Sequence, residues 1–193
     1  MYDTVYPSVR RRRRRRRRAG RKKDALLFFL ALLALILVVS STYKKTEKIM
    51  SESQIIAAEC KKAVAKGADE ETLESLADIM TRQLGKPYVY GAAGPDAFDC
   101  SGLVQYVYGA AGIKLPRVVS QQSRVGSAVQ KEDLKFGDII FFSDGGETLT
   151  HTGLYIGSGY FMHSPATGEV VTLSNLSEEY YVEMYRAAVR VLK

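Results

Sequence analysis

The chain has 193 residues, 46% of them hydrophobic and 25% charged, proportions that exclude wholesale disorder and leave room for one ordinary domain with a small appendage. Two cysteines and two histidines exclude a disulfide-dense scaffold and the usual zinc-finger spacings. The net charge of +7 is concentrated in residues 1–24, where twelve Arg and Lys (Arg10 to Arg18, Arg21, Lys22, Lys23) face only Asp3 and Asp24; the rest of the chain is faintly acidic.

Behind that basic tail runs Ala25 to Val39, ALLFFLALLALILVV, without a charged or strongly polar side chain, and Ser40 to Tyr43 prolong it before Lys44. A helix needs about 17 to 20 such residues to cross a bilayer, so 25–43 is expected to be a transmembrane helix. Its apolar character runs all the way round, which argues against a core helix. A cleaved signal peptide is the competing reading, but the charged region is long and no A-x-A cleavage pattern appears. Basic clusters stay on the cytoplasmic side. The expected topology is therefore single-pass in the cell membrane, with residues 1–24 a cytoplasmic tail and the C-terminal region on the cell-wall side. Nine consecutive arginines would also neutralise nucleic-acid phosphates. Beside a span, topology and attraction to anionic headgroups explain them more simply. No aromatic-basic face elsewhere supports a nucleic-acid partner, and none is expected.

Residues 44–67 are polar and helix-permissive, with a weak apolar pattern through Ile49, Met50, Ile55, Ile56, Ala57 and Val64, and read as a stalk or linker. Cys60 lies there as an isolated thiol, or as one half of an intermolecular disulfide. The compact domain is expected over 68–193. Asp69 can cap a helix whose apolar positions Leu73, Leu76, Met80 and Leu84 recur at helical spacing, with Gly85 and Pro87 ending it. A Gly-rich aromatic loop, PYVYGAAGPDAFD, leads into a second helix from Cys100 to about Ala111, with Leu103, Val104, Val107 and Tyr108 on one face. Pro116 and Arg117 open a third, shorter helix reaching about Val125. Five β-rich runs follow, at 138–142, 150–156, 160–164, 170–173 and 185–192. Helices first and strands afterwards imply an α+β fold, the helices packed on an antiparallel sheet.

One nucleophile stands out. Cys100 lies where a loop becomes a helix, and the helix N-terminus is expected to favour its thiolate. A cysteine nucleophile needs a base, and the two histidines, His151 and His163, both fall in the strand region. If Gly157–Ser158–Gly159 closes a three-residue hairpin, Ile156 faces Tyr160 and Gly153 faces His163. His151 and His163 are then diagonal neighbours on one sheet face. A two-residue loop would shift the register and put them on opposite faces. The expectation is a cysteine hydrolase with His151 as general base and His163 as its orienter. A metal held by Cys100, His151 and His163 would lack a fourth ligand, and neither metal nor cofactor is expected.

FDCSGLVQYVYG, GDIIFF and HTGLYIG, with LGKPYVYG before them and LPR between, resemble the NlpC-type family of bacterial cell-wall cysteine endopeptidases, in order from about Leu76 to Val191. The resemblance implies a papain-like fold and hydrolysis of peptidoglycan stem peptides between γ-D-glutamate and the diamino acid. It gives Cys100, His151 and His163 the catalytic positions, Tyr88 support of the oxyanion, and Asp99 and Ser101 contact with the free amine of the stem peptide's L-alanine. Asp99 also reads as a plain N-cap of the Cys100 helix. The alternatives are an amidase of the related Cys/His class, or a wall-binding protein without activity.

Overall fold

The computed structural model describes residues 7–192, with side chains from Leu27 onward. The side chains of the basic tail, and of Ala25 and Leu26 at the start of the expected span, lie outside the described residues. The chain divides into two compact units, 1–47 and 48–193. A long helix, α1 (Pro7–Ala65), contributes to both. In the first unit, Leu27 through Val39 carry large apolar side chains that are exposed. By length and composition the helix from Leu27 to Ala65 is long and apolar enough to cross a membrane.

The second unit begins at Lys48, ahead of the boundary expected at Ala68. The stretch read as a stalk is helix through Ala65, and its last turns dock on the domain: Ile56 is fully buried and Cys60 is in the core. A thiol so buried is poorly placed for an intermolecular disulfide. Helix α2 (Glu70–Thr81) is capped by Asp69, whose carboxylate accepts the Thr72 N–H at 3.1 Å, and buries Leu73, Leu76 and Met80. Helix α3 (Cys100–Ala110) buries Leu103, Val104, Val107 and Tyr108 along one stripe against the sheet. The third expected helix shrinks to α4 (Val119–Gln122), because Pro116 and Arg117 stay in the extended lead-in.

The sheet holds β1 (Ser127–Ala128), β2 (Ile139–Phe142), β3 (His151–Gly157), β4 (Tyr160–His163), β5 (Thr172–Asn175) and β6 (Tyr185–Arg190). Their order is β1-β6-β2-β3-β4-β5, with every neighbouring pair antiparallel. The fold is α+β. A short helix, α5 (Glu179–Met184), precedes β6 where only a connection was expected.

The β3–β4 hairpin corrects the expected loop. Gly157, not Ile156, pairs with Tyr160, and the turn is the two residues Ser158 and Gly159. Both have positive φ, 51° and 83°, the backbone of a type I′ turn. A register shift between Tyr155 and Gly157 then absorbs one residue, so Tyr155 pairs with Phe161 and Leu154 with Met162. The pairing beyond the bulge is the one a three-residue loop would have given. His151 and His163 therefore still meet on one face.

Candidate active site

Helix α3, which Cys100 opens, packs on β3 and β4. Asp99 is the N-cap of α3, accepting the Gly102 N–H at 2.7 Å, so the cap fixes the backbone beside the sulfur. Gly102 has to be glycine because the loop crosses the first helical turn there: a Cβ would collide with the Ala92 carbonyl. Thr152, next to His151 on β3, brings its backbone N–H against the Cys100 sulfur, as do Ser101 and Cys100 itself. Those contacts favour a thiolate. They are outweighed, because burial pushes the thiol up and the Asp99 charge pushes it further in the same direction. The structure thus reverses the expected stabilisation of the thiolate.

His151 Nε2 and His163 Nδ1 are 2.9 Å apart. Gly153 lies between them on β3, and a Cβ there would come 2.8 Å from the Met162 carbonyl oxygen and 3.3 Å from the His163 Cβ. A side chain at 153 would thus press on the β4 backbone and the Phe161 ring beside His163. Burial holds His151 down to about 4, and burial together with the neighbouring ring holds His163 well below the usual histidine range. Both rings are neutral at ordinary pH. With Nε2 engaged by His163, Nδ1 is the remaining ring nitrogen of His151. His163 is 1% exposed, and its far nitrogen, Nε2, lies 3.0 Å from Ser174 Oγ and 3.5 Å from the Tyr181 hydroxyl.

Arg117 closes the other side. Its Nη1 donates to Asp99 Oδ1 at 3.0 Å and to Ser101 Oγ at 2.9 Å, and its Nη2 donates to Asp99 Oδ2 at 2.5 Å. Gly91 N–H also donates to Asp99 Oδ2. The carboxylate therefore has its lone pairs filled. Burial alone would raise Asp99; Arg117 with the Gly102 and Gly91 N–H groups outweighs it and holds the carboxyl below its usual range. Gln122, fully buried, donates to the Ser101 and Pro116 carbonyls and ties the Arg117 segment to α3.

Tyr88 N–H donates to the Glu169 carbonyl, and the backbone at Tyr88 bridges Phe98. Burial raises its phenol, and charge at Cys100 and Asp99 raises it further, so the ring belongs to the same neighbourhood. Among the described residues, no group of three or more His, Cys, Asp or Glu side chains is arranged to hold a metal ion.

Sequence reasoning missed Ser174 and Tyr181. Ser174 lies beyond the expected end of its strand, and Tyr181 sits on an unexpected helix. A signal existed in the β4–β5 pairing: His163 opposite Thr172 makes Ser174 its diagonal neighbour on the same face.

The model of the NlpC/P60 family matches residues 85–190, more than half of the chain. The chain belongs to the NlpC/P60 family. Murein DD-endopeptidase MepH of Escherichia coli (strain K12) is 39% identical over 118 residues, covering 58% of this chain and 44% of that protein. Gamma-D-glutamyl-L-lysine dipeptidyl-peptidase of Bacillus subtilis (strain 168) is 35% identical over 121 residues, covering 62% and 41%. Among solved structures, an NlpC/P60 family protein from Bacillus cereus ATCC 10987 superposes with a TM-score of 0.60 at 38% identity, over 62% of this chain and 40% of that one. The chain thus spans less than half the length of each of these NlpC/P60 proteins.

Proposed function

We propose that this protein is a peptidoglycan hydrolase, a cysteine endopeptidase anchored in the cell membrane by residues 25–43 and cutting stem peptides between γ-D-glutamate and the diamino acid. The observation that carries this reading is the 2.9 Å contact of His151 with His163 on the strand whose next residue, Thr152, lies against the Cys100 sulfur. Since both thiol and imidazole are neutral at rest, His151 Nδ1 takes the thiol proton as the sulfur attacks the scissile carbonyl. The Cys100 backbone N–H and the Tyr88 hydroxyl meet the developing oxyanion. His151 then gives its proton to the leaving amine as the C–N bond breaks. Water, deprotonated by His151, attacks the thioester, releasing the carboxylate product and restoring the thiol. Asp99 and Ser101 are the proposed contacts for the terminal amine of the substrate. Arg117 already occupies Asp99, so an incoming ammonium has to share that carboxylate with the guanidinium.

The name of the Escherichia coli relative favours a second reading, cleavage of a D,D bond in murein. Defined stem tetrapeptides and cross-linked dimers, digested and weighed by mass spectrometry, separate the possibilities. A newly freed amine on the diamino acid is the expected product. Resolution of dimers to monomers supports the second reading, and, on stem peptides still joined to their sugar, newly freed L-alanine amines support an amidase. Cys100→Ala is expected to abolish turnover without unfolding the protein; retained cleavage would overturn the catalytic assignment.

A further inference from the structure

The orientation of the two histidines leaves one proton unaccounted for. Two neutral imidazoles joined nitrogen to nitrogen share a single hydrogen, so one ring donates and the other accepts. If His163 Nδ1 carries that hydrogen, His151 Nε2 is the acceptor, and the neutral His151 ring has its own proton on Nδ1. His151 then has no lone pair for the thiol. If instead His151 Nε2 donates, its Nδ1 is a free base, but His163 must carry its proton on Nε2. The competent arrangement therefore requires an acceptor at the far side of His163, in a site where an unmatched N–H is costly.

That acceptor is present. Ser174 Oγ lies 3.0 Å from His163 Nε2, with the Tyr181 hydroxyl at 3.5 Å from the same nitrogen. A serine hydroxyl can accept from His163 Nε2–H with its own hydrogen turned away from the ring, and this contact therefore accommodates the competent tautomer. In that tautomer the donors run in one direction: His151 Nε2–H to His163 Nδ1, then His163 Nε2–H to Ser174 Oγ. Phe142 and Phe161 stack around the two rings and Tyr181, with the Phe161 and His163 ring centroids 4.8 Å apart, and limit tilting.

We propose that Ser174, backed by Tyr181, is a positioning residue that fixes the proton of His163 on Nε2 and thereby leaves His151 Nδ1 free to act as the base. The inference rests on the reading of Cys100 and His151 as nucleophile and base. It assigns β5 and α5, which reach neither substrate nor sulfur in that reading, a share in catalysis through the hydrogen-bond direction alone.

The test uses the full-length protein in detergent with a stem tetrapeptide as substrate. Ser174→Ala is expected to lower kcat about tenfold, the worth of one buried hydrogen bond, while KM stays unchanged. Ser174→Thr keeps the hydroxyl and restores most of the rate, and Tyr181→Phe gives a smaller loss than Ser174→Ala. Correlation spectra of the imidazole nitrogens give a readout independent of turnover: protonated Nε2 in His163 of the native protein, mixed tautomers in Ser174→Ala. The deciding arm is the His163→Asn background. An asparagine carbonyl accepts from His151 without any tautomer to fix, so adding Ser174→Ala there has no further effect. Native kcat in Ser174→Ala, or an equal loss in both backgrounds, overturns the proposal. Activity surviving in Cys100→Ala would instead overturn the catalytic reading beneath it.

Discussion

Three influences compete at the Cys100 sulfur, and their sizes decide its charge. A helix N-terminus is worth about 0.3 to 1 kcal/mol toward the anion at an exposed site. Burial and the adjoining Asp99 charge both work against it, and they win, leaving the thiol above its ordinary range while His151 sits at about 4. Between those values the resting site is thiol and imidazole, with no standing ion pair. Alkylation of Cys100 by iodoacetamide is therefore expected to quicken steadily as pH rises through the neutral range, with no plateau until above the ordinary cysteine range. A rate flat across neutral pH would mean a preformed thiolate–imidazolium pair. The helix-start position of Cys100 was legible because a cap signature is local, and the nearness of the two histidines because strand periodicity is. The Asp99–Arg117 pair joins residues across an irregular loop, where no period exists to reveal it. Its effect on the sulfur was correspondingly invisible.

At the scale of elements, the end of α1 shows why a polar segment can be misread. Its docking relies on two carboxylates as well as apolar side chains. Glu52 accepts from Thr172 Oγ1 at 2.6 Å and from the Leu173 N–H at 3.3 Å, and Glu59 accepts from Ser158 Oγ at 3.0 Å. Strand β5 is a sheet edge, and the Glu52 carboxylate takes one of its free N–H groups. A scan for apolar periodicity scores such residues as solvent-facing, so 44–67 read as a stalk. The α+β order and α2 and α3 were legible because their stripes are continuous and their caps conventional. The bulge in β3 was not, since nothing in the local sequence states that Ile156 is the residue left over. Ile56, fully buried, reports on the docking. Ile56→Ala is expected to destabilise the second unit by roughly 2 to 5 kcal/mol in urea unfolding, as large-to-small core changes do. A loss below about 0.5 kcal/mol, the scale of ordinary surface substitutions, would mean that this segment is a free stalk after all.

For the whole molecule, the charge partition and the apolar run make a joint statement about location. All the excess positive charge lies in residues 1–24, directly before the stretch able to span, while the remainder is slightly acidic. An acidic catalytic unit gains nothing from anionic headgroups, so membrane attachment in this reading depends on residues 1–43 alone. Since the second unit starts at Lys48, removing 1–43 leaves all of its buried core in place. The truncated protein is expected in the soluble fraction, cleaving soluble stem peptides with unchanged kcat and KM, whereas the full-length protein stays with membranes through a carbonate wash. Protease added outside intact spheroplasts is expected to degrade the catalytic unit and spare an epitope placed at residue 1. Truncated protein that still pelleted with washed membranes would remove the anchor from the proposal, and an epitope cut from outside would reverse the topology. Neither result would touch the chemistry at Cys100, because the sulfur, both imidazoles and Arg117 all belong to the unit that the truncation leaves whole.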